Sequence, residues 1–213
     1  MTYLGRIVVV GLTPSGKAMC GYRVSSRSFP NRRAVVDDVK QTVSIVPKPG
    51  HETDIARNPY IAYNCARVVG PTAILSNGTH TDPLAERLLS GMSPRDALVY
   101  VLAALDYEKD SLNTPRIAAV VSEGDNAGWL GGVREDGLDV RRFALRPGEC
   151  VHLSTYEHNI PSEEYRSSFS AETAVAACEF LLDGGVFAGF TNPVSAVAAV
   201  ARDDGYDLAA IDM

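Results

Sequence analysis

The order in which the apolar patterns change along this chain constrains its fold more than any other feature. Five strand-like segments precede the first helix-like one: GRIVVVG at 5–11, KAMCGYRVSS at 17–26, TVSIVP at 42–47, IAYNCARVVG at 61–70 and TAILSNG at 72–78. Each is rich in Val, Ile or Tyr and bounded by Gly, Pro or Asn, the pattern of a strand between turns. TPSG between the first two reads as the turn of an N-terminal hairpin, and Asn77-Gly78 as a turn closing the fifth. Two helices are then predicted. DPLAERLLSG carries Pro83 near its first turn; SPRDALVYVLAALDYEKD has Ser93 as N-cap and Pro94 at the first helical position. Ala97, Leu98, Val101, Leu102 and Leu105 recur at helical spacing and face a sheet. RIAAVV, AGWLGGV, LDVRRFAL and CVHLST return to strands. A helix from Ser170 to Asp183 follows, stopped by Gly184-Gly185, then a strand VFAGF, a helix NPVSAVAAVA and a last strand YDLAAID. This order is not the strict alternation of a doubly wound parallel fold. It predicts an α+β fold with two mainly antiparallel sheets flanked by helices, a helix-sheet-sheet-helix sandwich.

With 213 residues and 46% apolar content the chain can build one generous core, and no repeat, low-complexity tract or Gly/Ser linker interrupts it. A single domain over residues 1–213 is expected. A formal charge of -6 with scattered Lys and Arg excludes a basic face for a polynucleotide. Cys20, Cys65, Cys150 and Cys178 show no CxxC pairing and no histidine at ligand spacing, so neither a metal site nor a redox dithiol is expected. They read as small apolar residues of a reducing compartment. The start MTYLGRIVVVG lacks the pattern of a signal peptide and no stretch reaches membrane-spanning length. A cytoplasmic protein without membrane partners is the expectation. The apolar segment SAVAAVA suggests a helix buried against a second copy, hence a homo-oligomer.

Four polar segments stand at the ends of these elements, where a rigid scaffold can hold a reacting group open to a ligand. RVSSRSFPNR at 23–32 holds Arg23, Arg27 and Arg32, whose planar forks match phosphate oxygens, with Ser26 and Ser28 among its hydroxyls. The plain alternative is a solvated loop. RNPYIAYN at 57–64 carries Tyr60 and Tyr63; on a strand their rings point to opposite faces, and Tyr60, beside the Asn58-Pro59 turn, is the better hydrogen-bond donor to a pocket. In SNGTHTD at 76–82, His80 and Asp82 sit beside the tight Asn77-Gly78 turn, where an imidazole can move protons near neutrality. No serine lies in a nucleophile elbow. DYEKDSLNTPR at 106–116 supplies Glu108, a general acid or base once desolvated, and Lys109, a donor to a developing anion, with Asn113 and Arg116 in the same loop.

Together YLGRI, YRVSSRSFPNR, RNPYIAYNC, SNGTHTD, LDYEKDSLNTPRIAA and FTNPVSAVAA resemble the archaeal-type inosine monophosphate (IMP) cyclohydrolase, or PurO, family, in order and from Tyr3 to Met213. The resemblance implies the four-layer αββα fold of the N-terminal nucleophile hydrolases. It also implies the last step of purine synthesis, closure of a formamido-imidazole-carboxamide ribonucleotide to IMP with loss of water, without metal or organic cofactor. The partner implied is a small purine ribonucleotide monophosphate.

On this reading Glu108 transfers protons, Tyr60 and Lys109 donate to the oxyanion, and Arg27 meets the substrate anion or the formyl oxygen. Arg32 holds the phosphate, while Asn77, Asn113 and Arg116 contact base or ribose. Arg23, Ser26, Ser28 and His80 complete the expected substrate-binding set. Two other readings stay open. Thr2, next to Met1, would be the nucleophile of an autoprocessed amidohydrolase of that fold, and the arginines and tyrosines alone would serve a non-catalytic nucleotide-binding protein.

Overall fold

Thirteen strands build two antiparallel sheets in the computed structural model, which describes residues 2–213. One sheet contains β1 (Ile7–Leu12), β2 (Ala18–Ser25), β10 (Glu149–Ser154), β11 (Arg166–Ser168), β12 (Pro193–Arg202) and β13 (Gly205–Asp212), in the order β11-β10-β1-β2-β12-β13. The other runs in chain order through β3 (Arg32–Asp37), β4 (Thr42–Pro47), β5 (Tyr63–Val69), β6 (Thr72–Ser76), β7 (Arg116–Ser122), β8 (Ala127–Arg134) and β9 (Gly137–Ala144). The principal core lies between the sheets, where Val8, Val10 and Tyr22 of the first meet Ile45, Leu75 and Ile117 of the second.

Of the four α-helices, α1 (Asp54–Arg57) is a single turn, while α2 (Thr81–Leu89), α3 (Pro94–Leu105) and α4 (Ala174–Asp183) form the outer layers. Ser93 caps α3 by accepting from the Asp96 amide, with Pro94 in the first turn, as its sequence dictates. Ala97, Leu98, Val101 and Leu102 then pack with α2 on Ile74, Ala118 and Val120 of the seven-stranded sheet. Thr173 caps α4, whose Ala177, Cys178 and Leu181 cover Ile7, Val9 and Ala198 of the other sheet. The layer order is therefore helix, sheet, sheet, helix, as expected.

Three expectations are corrected. NPVSAVAAVA is not a helix: it lies in β12, paired with β2 on one side and β13 on the other. Alanine permits a helix, but a nearly continuous run of small residues also suits a strand covered on both faces, and the tertiary pairing decides. Because that segment is interior, it offers no helix for a second copy. VFAGF belongs to a 3-10 turn, Gly185–Gly189, and not to a strand. The long helix stops at Leu105, so the acidic DYEKD segment lies beyond its end. Strand β3, which opens with Arg32, was not anticipated. No helix is long and apolar enough to cross a membrane among the described residues.

Candidate active site

At one end of the sandwich the segment leading into β1, the β2–β3 connection, the 3-10 turn Pro59–Ile61, the loop from Asp106 to Pro115 and the turn after β10 converge on a cavity of about 70 Å³. Ser26, Ser28, Arg32 and Tyr60 line it, as do Arg6, Tyr3, Asn58, Asp110 and Tyr156. Tyr3, Ser28, Leu112 and Tyr156 are shared with a wider outer hollow of about 470 Å³, which Arg27 also lines.

The loop after α3 is shaped by its own aspartates. Asp106 has φ 57° and ψ -176°, a conformation that only glycine adopts without strain, and its carboxylate accepts from the Tyr107 amide at 2.9 Å and Lys109 Nζ at 2.6 Å. Asp110 accepts from the amides of Leu112 and Thr114 and from the Thr114 hydroxyl, at 3.1, 2.9 and 2.8 Å. The Glu108 amide donates to Thr114 O at 2.8 Å. Together these bonds turn Glu108 inward, to 1% exposure, and Lys109 outward, to a side-chain exposure of 57%.

Glu108 Oε2 accepts from Arg6 Nη2 at 3.3 Å, and Oε1 lies 3.8 Å from Arg116 Nη1, too far for a hydrogen bond. Burial pushes the Glu108 carboxyl up to about 7 in spite of Arg6 and Arg116, which oppose the rise. Burial works to lower the Arg6 pKa, yet Glu108 and the nearby tyrosines outweigh it and hold the guanidinium above its usual range. Arg32, 2% exposed, is lowered by burial, with Tyr63 opposing. Behind these arginines the Tyr22 and Tyr63 hydroxyls share a 2.6 Å hydrogen bond that ties β2 to β5.

Three guanidiniums, Arg6, Arg32 and Arg116, thus stand nearly desolvated around a single buried carboxylate. Arg6 Nε, Arg116 Nε and Arg116 Nη1 have no partner. A surplus of buried cation with free N–H groups is costly unless an anion completes it, and the fork of an arginine suits the oxygens of a phosphate or carboxylate.

The expected residues divide into two groups. Ser26, Ser28, Arg32 and Tyr60 meet at the cavity. Arg116 approaches it, its guanidinium carbon 5.7 Å from the centre of the Tyr60 ring. Arg27 stacks on Tyr3 at 4.1 Å in the outer hollow. The Asn58 side chain accepts from the Tyr60 amide at 2.9 Å and sets its turn, so Tyr60 and Tyr63 are not two residues of one strand.

The other group lies elsewhere. Arg23 is fully buried and points away, donating to the carbonyls of Leu181, Leu182, Phe187 and Phe190 at 2.6–3.1 Å and to Ser25 Oγ. It ties β2 to the end of α4, because a strand residue's side chain takes whichever face its register gives it. Asn77 is engaged by Pro115 O and the Ile117 amide, and buried His80 by Ile117 O. Lys109 pairs with Asp106 on the surface, and Asn113 donates to Glu135 Oε2 at 2.9 Å. None of these five lines the cavity.

Arg6 is the residue that sequence reading missed. YLGRI looks like an ordinary first strand, and its one signal is a charged side chain directly before six consecutive buried residues. Gly5, at φ 72°, sits where a Cβ would fall 2.2 Å from Thr155 Oγ1, and this close passage lets the chain present Arg6 to the cavity. Thr2 stands on the rim of the outer hollow with its backbone paired to Gly189 and Thr191.

The family described as IMP cyclohydrolase-like protein has a model that matches residues 3–205. A Methanosphaera stadtmanae protein named IMP cyclohydrolase is 44% identical over 202 residues, covering 95% of this chain and 96% of that one. Proteins of the same name from Methanocaldococcus jannaschii and Methanocella arvoryzae are each 44% identical, over 208 and 207 residues, and cover 97% of this chain and 98% and 96% of their own. With a match of that extent and near-complete relatives, the chain belongs to the IMP cyclohydrolase-like family.

Proposed function

We propose that this protein closes the second ring of a formamido-imidazole-carboxamide ribonucleotide, releasing water and IMP, the last step of purine synthesis. The observation that carries the reading is the group of three buried guanidiniums around Glu108, partly unpartnered, beside a cavity rimmed by tyrosine and serine hydroxyls. The relatives' name agrees with it.

Amide nitrogen and formyl carbon belong to one molecule, so closure needs no enzyme nucleophile, and holding the reactive rotamer supplies much of the acceleration. One group must take the amide proton and return a proton to the departing hydroxyl. Glu108, whose carboxyl is raised to about 7 by burial, is matched to both directions near neutrality. Arg6 stands between Glu108 and the cavity, so substrate must draw the guanidinium from Oε2, and an anionic substrate competes for those N–H groups. Tyr60 and Arg116 donate to the formyl oxygen as its carbon becomes tetrahedral, Arg32 with Ser26 and Ser28 holds an anionic group, and Arg27 stacked on Tyr3 borders the outer hollow. Lys109 takes no part in this scheme, its ammonium being engaged by Asp106 on the surface.

The test is to incubate the purified protein with the formylated ribonucleotide and follow the absorbance of the hypoxanthine ring. Product is expected, and Glu108→Gln should lower its rate about a hundredfold or more. Tight binding with no product would leave a nucleotide-binding protein and overturn the reading.

A further inference from the structure

Hydrogen-bond direction is fixed atom by atom along one part of the cavity wall. Asp110 is the one acidic residue among the described residues that line the cavity, and its carboxylate can only accept. The Thr114 hydroxyl, fully buried, lies 2.8 Å from Asp110 Oδ2 and gives its single hydrogen there. The Tyr156 hydroxyl lies 3.2 Å from the same Thr114 oxygen. Because the Thr114 hydrogen is already committed, Tyr156 donates and Thr114 accepts.

Both ends of this chain therefore line the cavity as acceptors. Asp110 Oδ1 takes the amides of Leu112 and Thr114, while Oδ2 takes only the Thr114 hydroxyl. A carboxylate has about four acceptor positions, so one on Oδ2 remains. The Tyr156 oxygen, its hydrogen spent on Thr114, likewise offers lone pairs. These partners of Asp110 all lie in its own loop, although Arg6 and Arg32 line the same cavity. The cavity thus combines guanidiniums, which only donate, with two groups that only accept.

A ligand that suits such a wall carries an anion and hydrogen-bond donors together, since a carboxylate repels a phosphorylated ligand unless it meets a donor. On the cyclohydrolase reading, on which this inference rests, the substrate has two kinds of donor. Its amide N–H groups belong at the reacting centre with Glu108; its ribose hydroxyls are left for the acceptors. We infer that Asp110 and Tyr156 accept from the ribose hydroxyls, which makes Asp110 a specificity-determining residue for a ribonucleotide. Its three bonds within the loop hold the carboxylate in place before the ligand arrives, so the contact costs little further ordering.

The experiment is calorimetric binding, to the full chain, of IMP and of dideoxy-IMP, the same nucleotide without its ribose hydroxyls. The parent should bind IMP about thirtyfold more tightly, the sum of one charged and one neutral hydrogen bond. In Asp110→Asn the amide oxygen stays with the two backbone amides and the NH2, a donor, replaces Oδ2, so the preference should shrink about tenfold. In Tyr156→Phe it should shrink about threefold. Equal affinity for both nucleotides in the parent, or a preference unchanged in Asp110→Asn, overturns the inference even where the formylated ribonucleotide is converted to IMP. If Asp110→Asn does not fold, Tyr156→Phe, which leaves every bond of Asp110 in place, decides. A preference that narrows as expected in a protein that forms no IMP would sink the cyclohydrolase reading and leave the ribose contact standing.

Discussion

Replacing Glu108 by glutamine tests whether burial or ion pairing governs the buried carboxyl, because the two make opposite predictions for stability against pH. An unfolded chain releases this proton near 4.5, while the folded protein retains it up to about 7. Between those values the unfolded state binds fewer protons, so stability falls as pH rises. The contribution is complete below about pH 4.5 and gone once pH has passed through 7. A rise from 4.5 to about 7 corresponds to roughly 3 kcal/mol. Glutamine cannot ionise, and every other titrating group is common to both proteins, so their difference isolates Glu108. The assay is urea unfolding read by Trp129, the single tryptophan, with the folding free energy extrapolated to water at each pH. Glu108→Gln should gain on the parent chain by roughly 3 kcal/mol between about pH 4 and about pH 8. A difference that does not change with pH, or a variant that falls behind as pH rises, would show that the pair with Arg6 outweighs desolvation and would refute the argument.

Arg23→Met should cost more than about 3 kcal/mol in the same unfolding assay, since it strips the donor from four buried carbonyls, while the kcat of the folded fraction stays that of the parent. Lys109→Ala should change stability by less than about 0.5 kcal/mol, as expected for an exposed pair, and leave kcat/KM within about twofold; a drop of a hundredfold would place Lys109 back at the reaction.

How much of this molecule was legible in its residues depended on how local each signal was. The caps of α3, with Ser93 and Pro94, act within a single turn, and the run Ile7–Leu12 is buried on any sheet that forms, so both read correctly without a fold. The order of strands and helices likewise excluded a doubly wound sheet. β12 was misread because alanine and valine in unbroken succession carry neither a period of two nor one of 3.6, and only its pairing with β2 and β13 decides between strand and helix. For the site, the polar clusters announced themselves by composition, and Ser26, Ser28, Arg32 and Tyr60 do meet at one cavity.

Direction and charge state were another matter. Arg23 and Arg32 belong to one polar run, yet one braces the end of α4 and the other lines the cavity, because strand register assigns their faces. Glu108 and Lys109 are neighbours pointing opposite ways, turned by the Asp106 and Asp110 bonds. Arg6 became part of the site through Gly5 and Thr155, which are 150 positions apart in the chain. Residue type and local backbone chemistry were thus written in the sequence itself: which segments extend, which coil, and which carry groups able to bind an anion or move a proton. The tertiary structure alone decided which of those groups share a cavity and which lose their water, since desolvation and Coulomb interaction are set by neighbours in space.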